Sequence, residues 1–113
     1  MTQGSGVQLR RWPRYKIDVR LKISIGEGKD SSAAFGRGNN LSQSGMGAYI
    51  PCAIPVGAKV LLELKFPYST TEVKVRAMVR SCEGFRYGLE FVDVPADTRA
   101  VIEKNCDTAA NMQ

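Results

Sequence analysis

Tyr15-Lys16-Ile17-Asp18-Val19-Arg20-Leu21-Lys22-Ile23-Ser24-Ile25 decides the fold class. Tyr15, Ile17, Val19, Leu21, Ile23 and Ile25 share one face, and Lys16, Asp18, Arg20, Lys22 and Ser24 share the other. Side chains in a strand point to opposite faces in turn, so this period of two marks a long, half-buried β-strand.

The pattern recurs downstream. After a polar loop over residues 26–32, a weaker strand is expected around Ala34–Asn39, where Gly36 and Gly38 suggest a bulge or a close backbone approach. Met46–Ile50 reads as a short strand ending at Pro51. Lys59–Phe66 alternates again, with Val60, Leu62, Leu64 and Phe66 on one face. Val73, Val75, Ala77 and Val79 point inward from the next strand, and Phe85, Tyr87, Leu89 and Phe91 from the last. Turns fall at Pro55-Val56-Gly57, Pro67–Thr70 and Glu83-Gly84. Beyond Pro95 the period changes. Pro95, Asp97 in the first turn and Lys104 in the last predict a short helix over 95–106, with Val101 and Ile102 against the strands. Residues 107–113 read as a frayed tail, and residues 1–9 as a flexible lead-in. Five or six short strands in about a hundred residues imply an all-β antiparallel barrel or sandwich, and a barrel leaves no long unpaired edge.

Composition limits the function. The chain of 113 residues suits one domain. No apolar run approaches the roughly 18 residues of a membrane span, and the polar stretch Met1–Gln8 is unlike a signal peptide. The expected location is therefore cytoplasmic. Cys52, Cys82 and Cys106 are scattered, and there is no histidine, which argues against a zinc site and removes the usual general base. No serine-centred elbow is present, and Asp18, Glu27, Glu63 and Glu90 lie on separate elements, so an enzyme is not expected. The net charge of +5 favours anionic partners.

Two stretches carry candidate chemistry. In Arg10-Arg11-Trp12-Pro13-Arg14, the guanidinium groups can pair with phosphate through parallel hydrogen bonds and stack on a purine ring. Pro13 disfavours helix, so Arg10 and Arg14 would meet different parts of a wrapped ligand. Taken alone, the same stretch reads more readily as a solvated basic lead-in or a positive patch for nonspecific nucleic acid, and Trp12 reads as a hydrophobic plug over a barrel end. In Asn40-Leu41-Ser42-Gln43-Ser44-Gly45, Asn40 can read a guanine edge, Ser42 can donate to a phosphate or base, and Gly45 can let a ligand approach the backbone. Alone, this stretch reads first as a plain Asx/Ser turn between two strands.

Joined, the two stretches resemble the RxxxR and D/N-x-S-x-x-G motifs of PilZ domains. The resemblance runs from Arg10 to about Cys106 and takes in the Tyr15–Ile25 strand, the Pro55-Val56-Gly57 turn and the Tyr87–Phe91 strand. It implies a six-stranded PilZ-type antiparallel β-barrel with a short C-terminal helix, and a domain over residues 10–106. It further implies a cyclic di-GMP site of Arg10, Arg11, Arg14, Asn40, Ser42 and Gly45, with the arginines on a segment that folds across the ligand. No catalytic residue, metal or cofactor is implied. The implied role is an adaptor whose signal passes to another protein in motility, pilus, exopolysaccharide or biofilm control.

Two positions bear on that likeness. Asn40 is permitted where the family also uses aspartate, but a neutral amide cannot offer a charge-assisted acceptor. Gly47 stands where family members often carry a larger residue. The runner-up reading is a PilZ-like interaction module that does not bind nucleotide. A barrel for single-stranded nucleic acid ranks last, because Tyr15, Phe66, Phe85 and Phe91 fall on the inward-looking set rather than among the basic residues outside.

Overall fold

The computed structural model describes residues 12–26, 29 and 31–113. The strands are β1 (Tyr15–Ile25), β2 (Ser32–Leu41), β3 (Gly45–Tyr49), β4 (Lys59–Lys65), β5 (Glu72–Glu83) and β6 (Arg86–Phe91), followed by helix α1 (Ala96–Met112). Neighbours pair antiparallel in the order β1-β2-β3-β6-β5-β4, and β4 returns to β1 from Lys22↔Glu63 to Ile25↔Val60, closing a six-stranded barrel.

The alternation in β1 builds this wall. Val19, Leu21 and Ile23 are buried, while Asp18 and Arg20 face solvent. From the other strands Leu41, Leu62, Leu64, Val75 and Val79, with Phe66 just past the end of β4, converge on the same interior. Each fully buried side chain of this size contributes about 1.5–3 kcal/mol by leaving water. The chain between β3 and β4 is tied down by Tyr87. Its phenol donates to the Cys52 carbonyl at 2.6 Å and accepts from the Ile54 N–H at 2.9 Å. Burial raises the Tyr87 pKa, and the Ile54 hydrogen bond partly counters it.

β2 is longer than the expected Ala34–Asn39, because its ladder with β1 runs from Tyr15↔Leu41 to Ile25↔Ser32 despite its glycines. The glycines answer to close approaches: a Cβ at Gly36 would come within 2.3 Å of the Tyr49 carbonyl. The β2–β3 register shifts between Gly38 and Asn40.

Two expectations are corrected. The helix does not stop at Cys106, and residues 107–113 are not a frayed tail. It continues to Met112 because Ala109 is fully buried and the Gln113 side chain grips the Lys16 backbone, accepting its N–H at 3.0 Å and donating to its carbonyl at 2.7 Å. Lys104 therefore lies mid-helix, and no basic residue occupies the last turn. Phe85 does not face the core. β6 begins one residue later, at Arg86, so Phe85 belongs to the turn at Gly84 and is exposed, edge-on to Tyr49.

α1 covers one barrel end with Ile102, Cys106 and Ala109. Asn105 is buried with them and fully engaged. Its carbonyl accepts the Tyr68 N–H at 2.9 Å, and its amide donates to Ser69 Oγ at 2.8 Å and to the Val101 carbonyl at 3.0 Å. This matters for function because α1 also steadies the β2–β3 turn: Arg99 Nη1 donates to the Gln43 carbonyl.

Candidate functional site

The turn from Asn40 to Gly45 is built by its own short side chains. The Ser42 N–H donates to the Gly45 carbonyl at 2.8 Å, and Ser42 Oγ accepts the Ser44 N–H at 3.2 Å. Ser42 Oγ also lies 3.2 Å from Ser44 Oγ and 3.4 Å from the Gly45 carbonyl. Ser42 is buried, so its first task is to hold the turn. The Ser44 carbonyl accepts the Phe91 N–H at 2.9 Å, which fastens the turn to β6.

Gly45 has a different basis from the one its sequence context suggests. What comes close is not open space for a ligand but β6: a Cβ at Gly45 would lie 2.0 Å from the Leu89 carbonyl oxygen. The glycine lets β3 and β6 pair tightly beside the turn. Asn40 is partly buried, and its Oδ1 accepts the Gly47 N–H at 2.9 Å.

Two adjoining hollows open on this surface. The smaller, about 200 Å³, is lined by Arg14, Ser42, Ser44 and Gly45 together with Arg80, Ser81, Gly88 and Glu90. The larger, about 620 Å³, is lined by Arg14, Asn40 and Gly47 with Ser81, Cys82, Arg86 and Gly88. Arg14, Ser81 and Gly88 border both. The structure thus brings Arg14 to the same surface as Asn40, Ser42 and Gly45. Arg10 and Arg11 lie outside the described residues. Trp12 is not a plug over the barrel end, which α1 already closes. It is 37% exposed and lies beside the turn, lining a hollow with Gln43, Ser44, Glu90, Arg99 and Glu103.

The rim also holds residues that no motif marks. Arg80 on β5 donates from Nε to Glu90 Oε1 on β6 at 2.5 Å, across the mouth of the smaller hollow. Its place on the outward face of β5 was legible; its meeting with Glu90 depends on the barrel register. Gly88 leaves room for a neighbour, since a Cβ there would lie 2.4 Å from Ser81 Oγ. The surface combines guanidinium groups, hydroxyls and an amide, a donor-rich set suited to an anion carrying a polar ring edge. Among the described residues no group of His, Cys, Asp or Glu is arranged to hold a metal ion, and the three cysteines are free thiols.

The family model described as PilZ domain matches residues 8–107, and the chain belongs to that family. Its fold is similar to solved structures of known proteins. The PilZ domain with c-di-GMP of YcgR from Escherichia coli matches with a TM-score of 0.70 at 17% identity, over 93% of this chain and 94% of that one. YcgR in complex with c-di-GMP, also from Escherichia coli, matches with a TM-score of 0.75 at 19% identity, over 94% of this chain and 48% of that one. The Bacillus subtilis inhibitor of motility, MotI, matches with a TM-score of 0.69 at 17% identity, over 93% and 53%. The chain therefore spans about half the length of these last two proteins. No curated protein sequence matches it. No helix among the described residues is long and apolar enough to cross a membrane.

Proposed function

We propose that this chain binds cyclic di-GMP on the surface formed by Arg14 and the Asn40–Gly45 turn, and that the arm of Arg10, Arg11 and Arg14 closes over the ligand. The observation that carries the reading is that Arg14 lines one hollow with Ser42 and Gly45 and the adjoining hollow with Asn40. The arginines grip phosphates and guanine faces, and the turn seats a guanine. Ser42 and Gly45 serve chiefly by shaping that turn, while Asn40 meets the ligand directly.

The energetics suit a switch. Ordering backbone costs about 1–2 kcal/mol per residue, and each hydrogen bond to a charged group returns about 1.5–3 kcal/mol. A few such bonds offset the ordering of a short arm, so the arm responds to ligand rather than staying closed without it. The ordered surface then binds or releases a partner protein in motility, pilus or exopolysaccharide control. The membership of the family and the c-di-GMP complexes of its structural relatives support this reading. In this reading the ligand-responsive unit starts at residue 10 and takes in the whole of α1, which runs to Met112 and braces the turn through Arg99.

Calorimetric titration with cyclic di-GMP tests it. The intact chain should release heat with a defined stoichiometry, and Arg10→Ala and Arg14→Ala should each abolish it. Unchanged binding in both variants would overturn the site assignment, and no binding by the intact chain at tens of micromolar would overturn the function.

A further inference from the structure

The outer wall of β1, β2, β3 and β6 departs from the polar surface that strand alternation leads one to expect. Phe35 is 70% exposed, Tyr49 46% and Phe85 44%. Tyr49 and Phe85 meet edge-on with centroids 6.3 Å apart and planes at 88°. The register sets arginines around them: Arg20 opposite Arg37, Arg37 opposite Tyr49, and Tyr49 opposite Arg86, one row across four strands. An open hollow of about 570 Å³ is bounded by Arg20, Phe35, Gly36, Arg37, Tyr49 and Pro51. Arg37 is held by Asp18 at 2.7 Å, whereas Arg20 and Arg86 make no ion pair among the described residues.

We infer that this face docks an acidic segment of a partner protein, which seats an apolar side chain between Phe35 and Tyr49 and pairs its carboxylates with Arg20 and Arg86. Clustered exposed aromatic rings mark interaction surfaces, and an apolar pocket ringed by arginines has the form of a binding hot spot. The guanidinium row supplies the complementary charge. Two features favour a protein over single-stranded nucleic acid. Asp18, Glu63 and Glu83 fringe the face, opposite Arg86 in the case of Glu83 and 3.8 Å from Lys22 in the case of Glu63. These carboxylates oppose a continuous phosphate backbone but leave room for a short acidic segment. The perpendicular Tyr49–Phe85 pair also does not offer the successive flat faces on which bases stack. A second copy of this chain is disfavoured because it would bring its own arginine row against this one. Arg86 also lines the larger hollow of the candidate cyclic di-GMP site and is common to both surfaces, whereas Phe35 and Arg20 line neither hollow, so variants at those two test the inference apart from nucleotide binding.

Selection of a random peptide library displayed on phage against the full chain, counter-selected with Phe35→Ser, tests the inference. An enriched peptide and an oligothymidylate are then titrated by fluorescence anisotropy. Enriched peptides should carry Asp or Glu beside Leu, Phe or Trp. Phe35→Ser and Arg20→Glu should each weaken the peptide by about tenfold or more, the scale of a hot-spot truncation, with melting temperature and cyclic di-GMP titration unchanged. The inference is overturned if no peptide is enriched over the counter-selection, if the enriched peptides lack acids, or if either variant binds them as well as the parent. It is equally overturned if oligothymidylate binds more tightly than peptide, or if the chain dimerises through Phe35.

Discussion

The Asn40 side chain and the Gly47 backbone are locked together across β2 and β3. Oδ1 accepts the Gly47 N–H at 2.9 Å, and a Cβ at Gly47 would lie 2.5 Å from Asn40 Nδ2. Gly47 is therefore the floor on which the Asn40 amide rests, which gives a physical reason for the glycine at that position.

Gly47→Ala should weaken cyclic di-GMP while leaving the barrel intact. The added methyl displaces the flexible end of Asn40 and with it the bond to the Gly47 N–H, so urea denaturation should show a loss of about 0.5–1.5 kcal/mol with the cooperative transition kept. Losing one positioned hydrogen bond costs about 0.5–1.5 kcal/mol, an affinity loss of up to about tenfold. Calorimetry on the variant reads this directly. Wild-type affinity would mean that the amide does not meet the ligand.

Asn40→Asp should act in the opposite direction. One carboxylate oxygen can keep the Gly47 N–H, and the other can accept from guanine donors or from Arg14 with charge assistance. Bonds of that kind are about twice as strong as neutral ones, so affinity should rise by about tenfold. A loss of affinity would show that Asn40 serves the ligand as a donor.

Gly45→Ala should damage the fold before it damages binding. The methyl would meet the Leu89 carbonyl oxygen, a backbone atom that cannot move aside without parting β3 from β6. Overpacking of this sort costs about 1–3 kcal/mol. Chemical denaturation should show the loss, and a variant as stable as the parent would contradict the strand contact.

Alkaline pH should destabilise the protein through Cys106. Burial, helped by Asp107, pushes its thiol up to about 11 from an ordinary value of 9.0. The unfolded chain then ionises first as pH rises, so the stability that is fully present below about 9 is lost progressively toward about 11. Tyr87, whose pKa is also raised by burial, adds to the loss at the alkaline end. Urea denaturation across this range should show a shallower pH dependence for Cys106→Ala than for the parent. An identical slope would remove Cys106 from the account.

What the sequence disclosed follows from what each signal depends on. The alternation of β1 is local, so its inward face of Val19, Leu21 and Ile23 was legible. The helix end was not. Residues 107–113 carry no apolar period, and Ala109 is buried only because the barrel mouth lies beneath it. Phe85 misled because its spacing from Tyr87 continues the strand pattern, yet the turn at Gly84 takes it out of the wall. Misplacing that ring also hid the exposed aromatic face, since the case against aromatic residues outside the barrel counted Phe85 as inward. At the candidate site, the turn residues and Arg14 stood out through residue type and spacing. Arg80, Ser81, Gly88 and Glu90 did not, because only the ring of strands brings β5 and β6 to the β2–β3 turn.

That ring has no strand left wholly at an edge. Every strand is flanked on both sides for part of its length, and an incoming chain finds vacant backbone to knit onto only where a ladder stops short, as on β1 ahead of Lys22, which β4 does not reach, so most of what passes between this molecule and another is read through side chains. A hoop of six laced strands also resists bending. A messenger settling on one side would leave the hoop as it was and alter only which outward groups are veiled, much as a hand laid over a page changes what can be read without changing the print.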